Sequence, residues 1–310
     1  MNYIFTTYKD GYIDDQFRIG REIYDKWRMG GQTRPEQLKK TYSEPDFDPE
    51  TKFYTFLGSE MVGFLTATEK NEEEEKTAFF EFPFLKKGHE SALDPLIQFA
   101  FDKLRAKGYK VLITRAGHYW GKSKELAEKY DFEYYSDIVR AGEIHLDEFD
   151  LSSLEEPKDL LPYDYDRDID ELVEVFSKRF NVPVDKMKSN LSRFKDLQIG
   201  ETIKNPWDQE LTLVSNVVGR IGGELVARAV AINVEAYGSK NVNLISFYVK
   251  DGYENLKSQL IRQIIDDCKD QEYHRLIIHT GLWGSHPDDS YFEPFGFTFY
   301  TKLAYYHKKL

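Results

Sequence analysis

The sequence has a single cysteine, few basic residues relative to acidic ones, and no long apolar run. One cysteine, Cys268, excludes an intrachain disulfide. No apolar stretch approaches the roughly 18 residues of a membrane-spanning helix. Residues 1–5 also lack the basic segment followed by an apolar one that begins a signal peptide. The net charge of −12 argues against non-specific binding to nucleic acid or to an anionic membrane. These deficits predict a soluble, cytoplasmic protein with no nucleic-acid or membrane partner.

The composition is that of a globular chain. Of 310 residues, 41% are hydrophobic, and 22 Phe and 21 Tyr supply large side chains for a core. This length predicts two domains, each large enough to bury a core of its own. The acidic surface also suits a cationic ligand.

The sequence repeats itself at an offset of 164 positions. From Lys86–Gly117 against Lys250–Gly281 the register holds without a gap, and the shared residues include Gly88/Gly252, Glu90/Glu254 and Tyr109/Tyr273. A shorter upstream match pairs residues 57–62 with residues 221–226. A repeat of this length is a domain, so the chain contains two copies of one fold.

Each copy alternates strands and helices in the same order. The first copy predicts three consecutive strands that end with Thr77–Leu85, and a long amphipathic helix that stops at Gly108. Cys268 aligns with Leu104 on this helix, which predicts a small buried side chain. The fold class is therefore α/β, with a mixed, mostly antiparallel sheet flanked by helices in each domain. The predicted domains are 1–147 and 161–310, joined by a linker at 148–160.

The best-matched repeat segment is a strand, a glycine-containing turn, a long helix and a strand. The first turn of such a helix presents unpaired N–H groups and a positive dipole end, which suit a phosphate. The turn of the first copy reads Gly88-His89-Glu90-Ser91-Ala92-Leu93, and the second copy ends with Tyr291-Phe292-Glu293-Pro294-Phe295-Gly296-Phe297. The element order and these two motifs resemble the GNAT family of acetyl-coenzyme A-dependent N-acyltransferases, in a tandem arrangement.

The resemblance implies a site for acetyl-coenzyme A as co-substrate. In the family, backbone N–H groups of this turn hold the coenzyme pyrophosphate. Two positions depart from the family pattern, because Glu90 replaces the second glycine and Leu85 stands where Arg or Gln is expected. The first copy carries two lysines before its glycine, whereas the second carries one lysine and one aspartate, so we expect the coenzyme in the first copy. The implied cofactor-binding residues are Leu85, Lys86, Lys87, Gly88, His89, Glu90 and Ser91.

The resemblance also implies direct acetyl transfer to an amine, from a small-molecule or peptide acceptor. Glu81 lies on the strand before the turn, where the family often carries a base, and apolar residues follow it. The family's usual acid is a tyrosine, but this position is Ala127 in the first copy and Phe292 in the second. Tyr130 is the nearby substitute in the first copy. Glu81 and Tyr130 are therefore the catalytic candidates.

Two interpretations stay open at this point. Either the first copy is a working N-acetyltransferase, or both copies keep the fold as a non-catalytic module that binds a ligand or a protein partner. The replaced glycines and missing tyrosine favour the second interpretation; Glu81 and the paired lysines favour the first. The histidines lack zinc-ligand spacing, so we predict no metal.

Overall fold

The computed structural model describes residues 2–24, 35–70, 75–117, 122–192, 195–204, 210–234, 240–281 and 288–310. The chain forms two compact units, of which the first comprises Met1–Ile138 with Thr301–Leu310 and the second comprises Val139–Tyr300. The predicted linker, 148–160, lies within the second unit and contains a 3-10 turn at Leu151–Ser153.

The first unit contains a mixed sheet and four helices among its described residues. Its helices are α1 (Ile13–Tyr24), α2 (Pro35–Tyr42), α3 (Leu93–Ala106) and α4 (Ser123–Lys129). Its strands are β1 (Tyr3–Thr7), β2 (Lys52–Leu57), β3 (Glu60–Lys70), β4 (Thr77–Phe80), β5 (Phe84–Leu85), β6 (Val111–Ala116), the beginning of β7 (Glu133–His145) and most of β14 (Thr298–Lys309). The sequence favours a helix end at Gly30-Gly31, because glycine commonly terminates helices, and this position lies outside the described residues.

The strand pairing of the first unit is antiparallel except at one place. β1, β2, β3 and β4 pair in succession with antiparallel register, and β14 pairs antiparallel with β6. β4 and β6 are parallel, but their register covers only Thr77–Phe79 against Val111–Ile113. The two strands therefore part beyond Phe79 and Ile113, which leaves an opening in the sheet.

The buried face of α3 matches its predicted apolar stripe. Leu96, Ile97 and Leu104 pack with Phe53 and Phe80 of the sheet in one core cluster. Side chains at positions three and four apart share one side of a helix, so this spacing turns the stripe towards the sheet.

The predicted strand Thr77–Leu85 is interrupted, which corrects the sequence expectation. β4 ends at Phe80, and β5 begins only at Phe84 and pairs with β3. Pro83 lies between them and has no N–H for a sheet ladder. Glu81 keeps one bond to the neighbouring strand, because its N–H donates to the Thr66 carbonyl at 2.9 Å. The break places Glu81 beside the opening rather than inside a regular ladder.

The second unit repeats this arrangement. Its helices are α5 (Tyr165–Phe180), α6 (Val184–Leu191) and α7 (Leu256–Asp270). Its strands are the end of β7, β8 (Leu160–Pro162), β9 (Thr202–Lys204), β10 (Glu210–Ile221), β11 (Glu224–Val234), β12 (Asn241–Val249), β13 (Arg275–Thr280) and the beginning of β14. β12 and β13 form the parallel pair, over Asn241–Asn243 against Arg275–Ile277, and residues 140–145 of β7 add to β13. The predicted α/β class with mostly antiparallel sheets is confirmed.

Cys268 is fully buried on α7 and packs in the core of the second unit. Its burial raises the pKa of the thiol. Among the described residues, no helix is long and apolar enough to cross a membrane.

Candidate functional site

The turn before α3 is closed by one of its own side chains. Gly88 has a backbone φ of +88°, which glycine adopts without strain, and its N–H donates to Glu90 Oε1 at 3.0 Å. This bond lowers the pKa of the Glu90 carboxyl. The His89 N–H donates to the Lys86 carbonyl at 3.1 Å, and Lys86 Nζ forms an ion pair with Glu60 Oε1 at 2.6 Å. The carboxylate that replaces the expected glycine therefore binds an N–H group that would face a phosphate.

The corresponding turn of the second unit has the same bonds. The Gly252 N–H donates to Glu254 Oε1 at 3.1 Å, and Lys250 forms an ion pair with Glu224. Each of these residues lies 164 positions after its partner in the first unit. The sequence repeat is thus accompanied by a repeat of these hydrogen bonds and ion pairs. In both turns a glutamate side chain of the turn accepts the glycine N–H.

The other predicted residues of the first turn surround it. Leu85 of β5 pairs with Gly63 of β3 and packs against the core, whereas Lys87 and Ser91 are exposed. The Tyr3 hydroxyl lies 3.3 Å from His89 Nδ1 and 3.2 Å from Ser91 Oγ, which ties β1 to the turn. All seven predicted cofactor-binding residues therefore form one contiguous surface before α3.

Glu81 lies at the opening between β4 and β6, paired with an arginine. Its Oε1 is 2.9 Å from Nη2 of Arg115, which lies on β6 beyond Ile113, the last residue that pairs with β4. The Arg115 guanidinium carbon also lies 4.7 Å from the centre of the Phe79 ring. The Glu81 side chain is 34% exposed, so water reaches it. The ion pair spans the opening and holds the Glu81 carboxylate in place there.

Tyr130 occupies a different part of the first unit. It follows α4, its ring packs edge-on against Phe101 of α3, and its hydroxyl donates to the Asp94 carboxylate. Burial and the charge of Asp94 raise the Tyr130 pKa, so the hydroxyl stays protonated at neutral pH. Among the described contacts none joins Tyr130 to Glu81. The structure brings Glu81 together with Arg115 rather than with the predicted acid.

Two basic residues near Glu81 were missed in the sequence. The sequence held one signal for Arg115. It stands two positions after Ile113, and because side chains alternate along a strand, the two residues lie on the same face of the sheet. Lys52 begins β2 and is buried; its Nζ donates to the Ala67 carbonyl and to Thr68 Oγ1. Burial lowers the pKa of Lys52 to about 8, against the opposing charge of Glu81 and Asp48.

A pocket of 270 Å³ opens beside α1 and α2 in the same unit. Its lining combines two tyrosine rings with two carboxylates and consists of Tyr8, Asp10, Gly11, Ile13, Asp14, Lys39, Tyr42 and Ser43. Burial raises the pKa of Tyr42, and the charge of Glu81 adds to this shift, so the pocket lies within electrostatic reach of Glu81. Aromatic faces beside carboxylates suit a cationic ligand.

Among the described residues, no group of three or more His, Cys, Asp and Glu side chains could hold a metal ion.

The chain is similar in structure to solved proteins over nearly its whole length. An acetyltransferase of the GNAT family from Colwellia psychrerythraea is similar over 98% of this chain and 99% of its own, with a TM-score of 0.55 and 12% identity. The chain has the GNAT fold.

Two further structures with this fold are similar over the whole chain. A tandem GNAT protein from the clavulanic acid biosynthesis pathway covers 99% of this chain and 98% of its own, with 12% identity and a TM-score of 0.46. A GCN5-related N-acetyltransferase from Sphaerobacter thermophilus covers 99% and 95%, with 10% identity and a TM-score of 0.44. The sequence matches no protein-family model and no curated protein.

Proposed function

We propose that the first unit is an N-acetyltransferase that moves acetyl from acetyl-coenzyme A directly to an amine. The observation that carries this proposal is the opening between β4 and β6, with the partly exposed carboxylate of Glu81 at its edge. The turn that would hold the coenzyme follows within a few residues of Glu81, so both parts of such a site stand in one unit.

The turn suits the coenzyme pyrophosphate once Glu90 turns away. The Glu90 side chain is exposed, so its rotation would free the Gly88 N–H without disturbing the core. Lys87, which is exposed, would supply positive charge, and Lys86 would add to it once its ion pair with Glu60 opens. The coenzyme supplies an activated thioester carbonyl and a thiolate leaving group.

Glu81 has the role of general base in this proposal. An amine with a pKa near 10 is almost wholly protonated at pH 7, so a base must remove a proton before attack. Arg115 holds the Glu81 carboxylate in place at the opening, where it would accept that proton directly or through one water. Tyr130 is the proposed proton donor to the departing thiolate, and its bond to Asp94 must open for it to act.

The pocket beside α1 and α2 is the proposed acceptor site. Asp10 would hold a positively charged part of a small molecule or peptide, joined by Asp14 once its 3.4 Å ion pair with Lys39 opens, and the rings of Tyr8 and Tyr42 would pack against it. A cationic amine agrees with the acidic character of the whole chain, whose net charge is −12.

The test is calorimetry with acetyl-coenzyme A on the full-length protein and two matched variants. Gly88→Asp fills and charges the first turn, so it should abolish binding, whereas Gly252→Asp should leave binding intact. The opposite pattern would move the coenzyme to the second unit. Circular dichroism of each variant checks that the folded state persists.

A second candidate function rests on the two self-capped turns. Because Glu90 and Glu254 bind the glycine N–H groups of their own turns, both units also fit a non-catalytic module that binds a ligand or protein. Wild-type protein that shows no heat of binding with acetyl-coenzyme A would favour this second function over the first.

A further inference from the structure

A buried arginine without an ion-pair partner lies in the second unit. Arg228 stands opposite Val218 in the pairing of β10 with β11, and Val218 packs with Ile169, Leu172 and Phe176 of α5. Arg228 therefore lies on the sheet face that α5 covers. The residue is only 2% exposed.

Two of the three side-chain nitrogens of Arg228 are not satisfied by the surrounding protein. Its Nε and Nη1 are buried and have no hydrogen-bond partner, and within the described part of the chain no carboxylate lies within ion-pair distance. The Asp168 carboxylate, which contributes to the electrostatic field at Arg228, is already bound by Arg220 at 2.9 Å and by Arg167. The guanidinium instead lies 4.7 Å from the centre of the Tyr163 ring and 6.0 Å from that of Phe176.

Two further unsatisfied atoms accompany Arg228. Tyr163 Oη and Asn216 Oδ1 are buried and lack hydrogen-bond partners. The Tyr163 N–H donates to the Asn216 carbonyl at 3.0 Å, so these two residues are neighbours. Asn216 pairs with Val230, two residues from Arg228, and thus lies on the same sheet face. Three unsatisfied polar side chains therefore occupy neighbouring positions on one sheet face, here called the Arg228 cluster.

Such a cluster is unfavourable for folding by itself. An unpaired buried charge and unpaired buried hydroxyl and amide groups all lose their hydration without compensation, and ring contacts replace only part of it. Burial lowers the Arg228 pKa to about 10, so the guanidinium still carries its charge at neutral pH. The first unit avoids this arrangement, since Phe64 stands at the position that matches Arg228.

We propose that the Arg228 cluster binds a small organic monocarboxylate. The carboxylate would accept hydrogen bonds from the Arg228 guanidinium and the Tyr163 hydroxyl, while Asn216 Oδ1 accepts one from a hydroxyl or ammonium group of the ligand. A single guanidinium matches one negative charge, and the nearby Asp168 disfavours a doubly charged phosphate. The rings of Tyr163 and Phe176 suit the apolar part of an organic acid. This binding site is independent of the acetyl transfer proposed for the first unit.

The test measures thermal unfolding and binding heat of the full-length protein with sodium acetate, sodium benzoate and sodium phosphate, against sodium chloride at equal ionic strength. Acetate or benzoate should raise the unfolding temperature of the wild type, and phosphate should not. Arg228→Met should raise the carboxylate dissociation constant at least roughly 30-fold, because it removes the buried partner of the charge. Arg179→Met, which removes an exposed charge from α5, should bind as the wild type does.

Urea unfolding without added carboxylate distinguishes a ligand-binding role of Arg228 from a structural role. An unpaired buried charge replaced by an apolar side chain of similar length leaves the folded state as stable or more stable. Arg228→Met should therefore need at least as much urea for unfolding as the wild type. Three binding outcomes would overturn the proposal: no change in the unfolding temperature of the wild type with either carboxylate, the same change in Arg228→Met as in the wild type, or greater stabilisation by phosphate than by the carboxylates. Unfolding of ligand-free Arg228→Met at lower urea than the wild type would also overturn it.

Discussion

At the scale of single residues, the pairing of Glu81 with Arg115 limits what Glu81 can do. The Arg115 guanidinium binds Glu81 Oε1 at 2.9 Å, which fixes the position of the carboxylate that would accept a proton. Glu81 is also partly exposed, which allows a proton to leave through water. Both properties agree with the proposed removal of a proton from the acceptor amine.

Substitution of Glu81 tests this role. Glu81→Gln should lower turnover by roughly 10²-fold or more, the usual scale for loss of a general base, and should leave coenzyme affinity unchanged. The measurement is steady-state kinetics over pH with calorimetry alongside, and the acidic limb of the kcat/KM profile should disappear. Glu69→Gln is the control, because Glu69 accepts from Tyr109 and lies away from the opening. Wild-type turnover in Glu81→Gln would remove this carboxylate from the mechanism.

Lys52 is the second residue whose environment makes a measurable prediction. Its folded-state pKa is about 8, below its ordinary value of 10.5, so between these values the unfolded chain binds more protons than the folded one. Stability from this group therefore rises with pH through that window and is absent below it. Between pH 7.5 and 9.5 the wild type should gain about 2 kcal/mol relative to Lys52→Met.

Urea unfolding at the two pH values measures this gain, and Lys40→Met serves as the exposed control. The comparison between variants cancels the other groups that titrate in the same range. Parallel pH dependence in wild type and Lys52→Met would show that Lys52 titrates normally.

At the scale of elements, the two turns before α3 and α7 allow a matched comparison. Glu90→Gln keeps an oxygen that can accept from the Gly88 N–H but removes the negative charge that a pyrophosphate must displace. Coenzyme affinity should rise by about two- to five-fold, the scale of one exposed charge at a helix N-terminus. Titration calorimetry at low salt measures the change. Glu254→Gln should have no effect, and weaker binding in Glu90→Gln would contradict the proposed coenzyme site.

The sequence predicted a helix or turn well where the residues of that segment alone determine its structure. The buried face of α3 and the position of the turn at Gly88 follow from spacing and from the repeat. The break after β4 was missed because apolar residues continue through Phe82 and Phe84, while the missing N–H of Pro83 decides the pairing. Arg115 and Lys52 were missed because their importance comes from contacts with residues distant in sequence.

At the scale of the whole molecule, the first unit includes the C-terminal strand. β14 pairs with β6 from Ala304↔Ala116 to Lys309↔Val111, and Leu303 and Ala304 are buried. The repeat alone predicted a first domain of residues 1–147, which would lack this strand. Sequence similarity between two copies does not reveal which strand completes which sheet, since pairing partners are chosen in three dimensions.

Removal of residues 302–310 should therefore destabilise the first unit. The change exposes the edge of β6 and the apolar side chains that pack with it, so it should do more than remove a loose terminus. Limited proteolysis with mass spectrometry should show new cleavage within residues 77–116, and the intact chain supplies the reference pattern. Unchanged protection of those residues would show that β6 is stable without β14.

The pairing of β14 with β6 also determines how late in translation the sheet of the first unit can be completed. Ala116 meets Ala304, so about 190 residues must be made before the sheet of the first unit can close. At roughly 5–20 residues per second, this interval lasts on the order of 10–40 s. During that time the β6 segment, Val111-Leu112-Ile113-Thr114, leaves the ribosome with an unpaired edge that other chains can join. A nascent chain of this protein depends on protection by chaperones longer than one whose domains close in the order of translation.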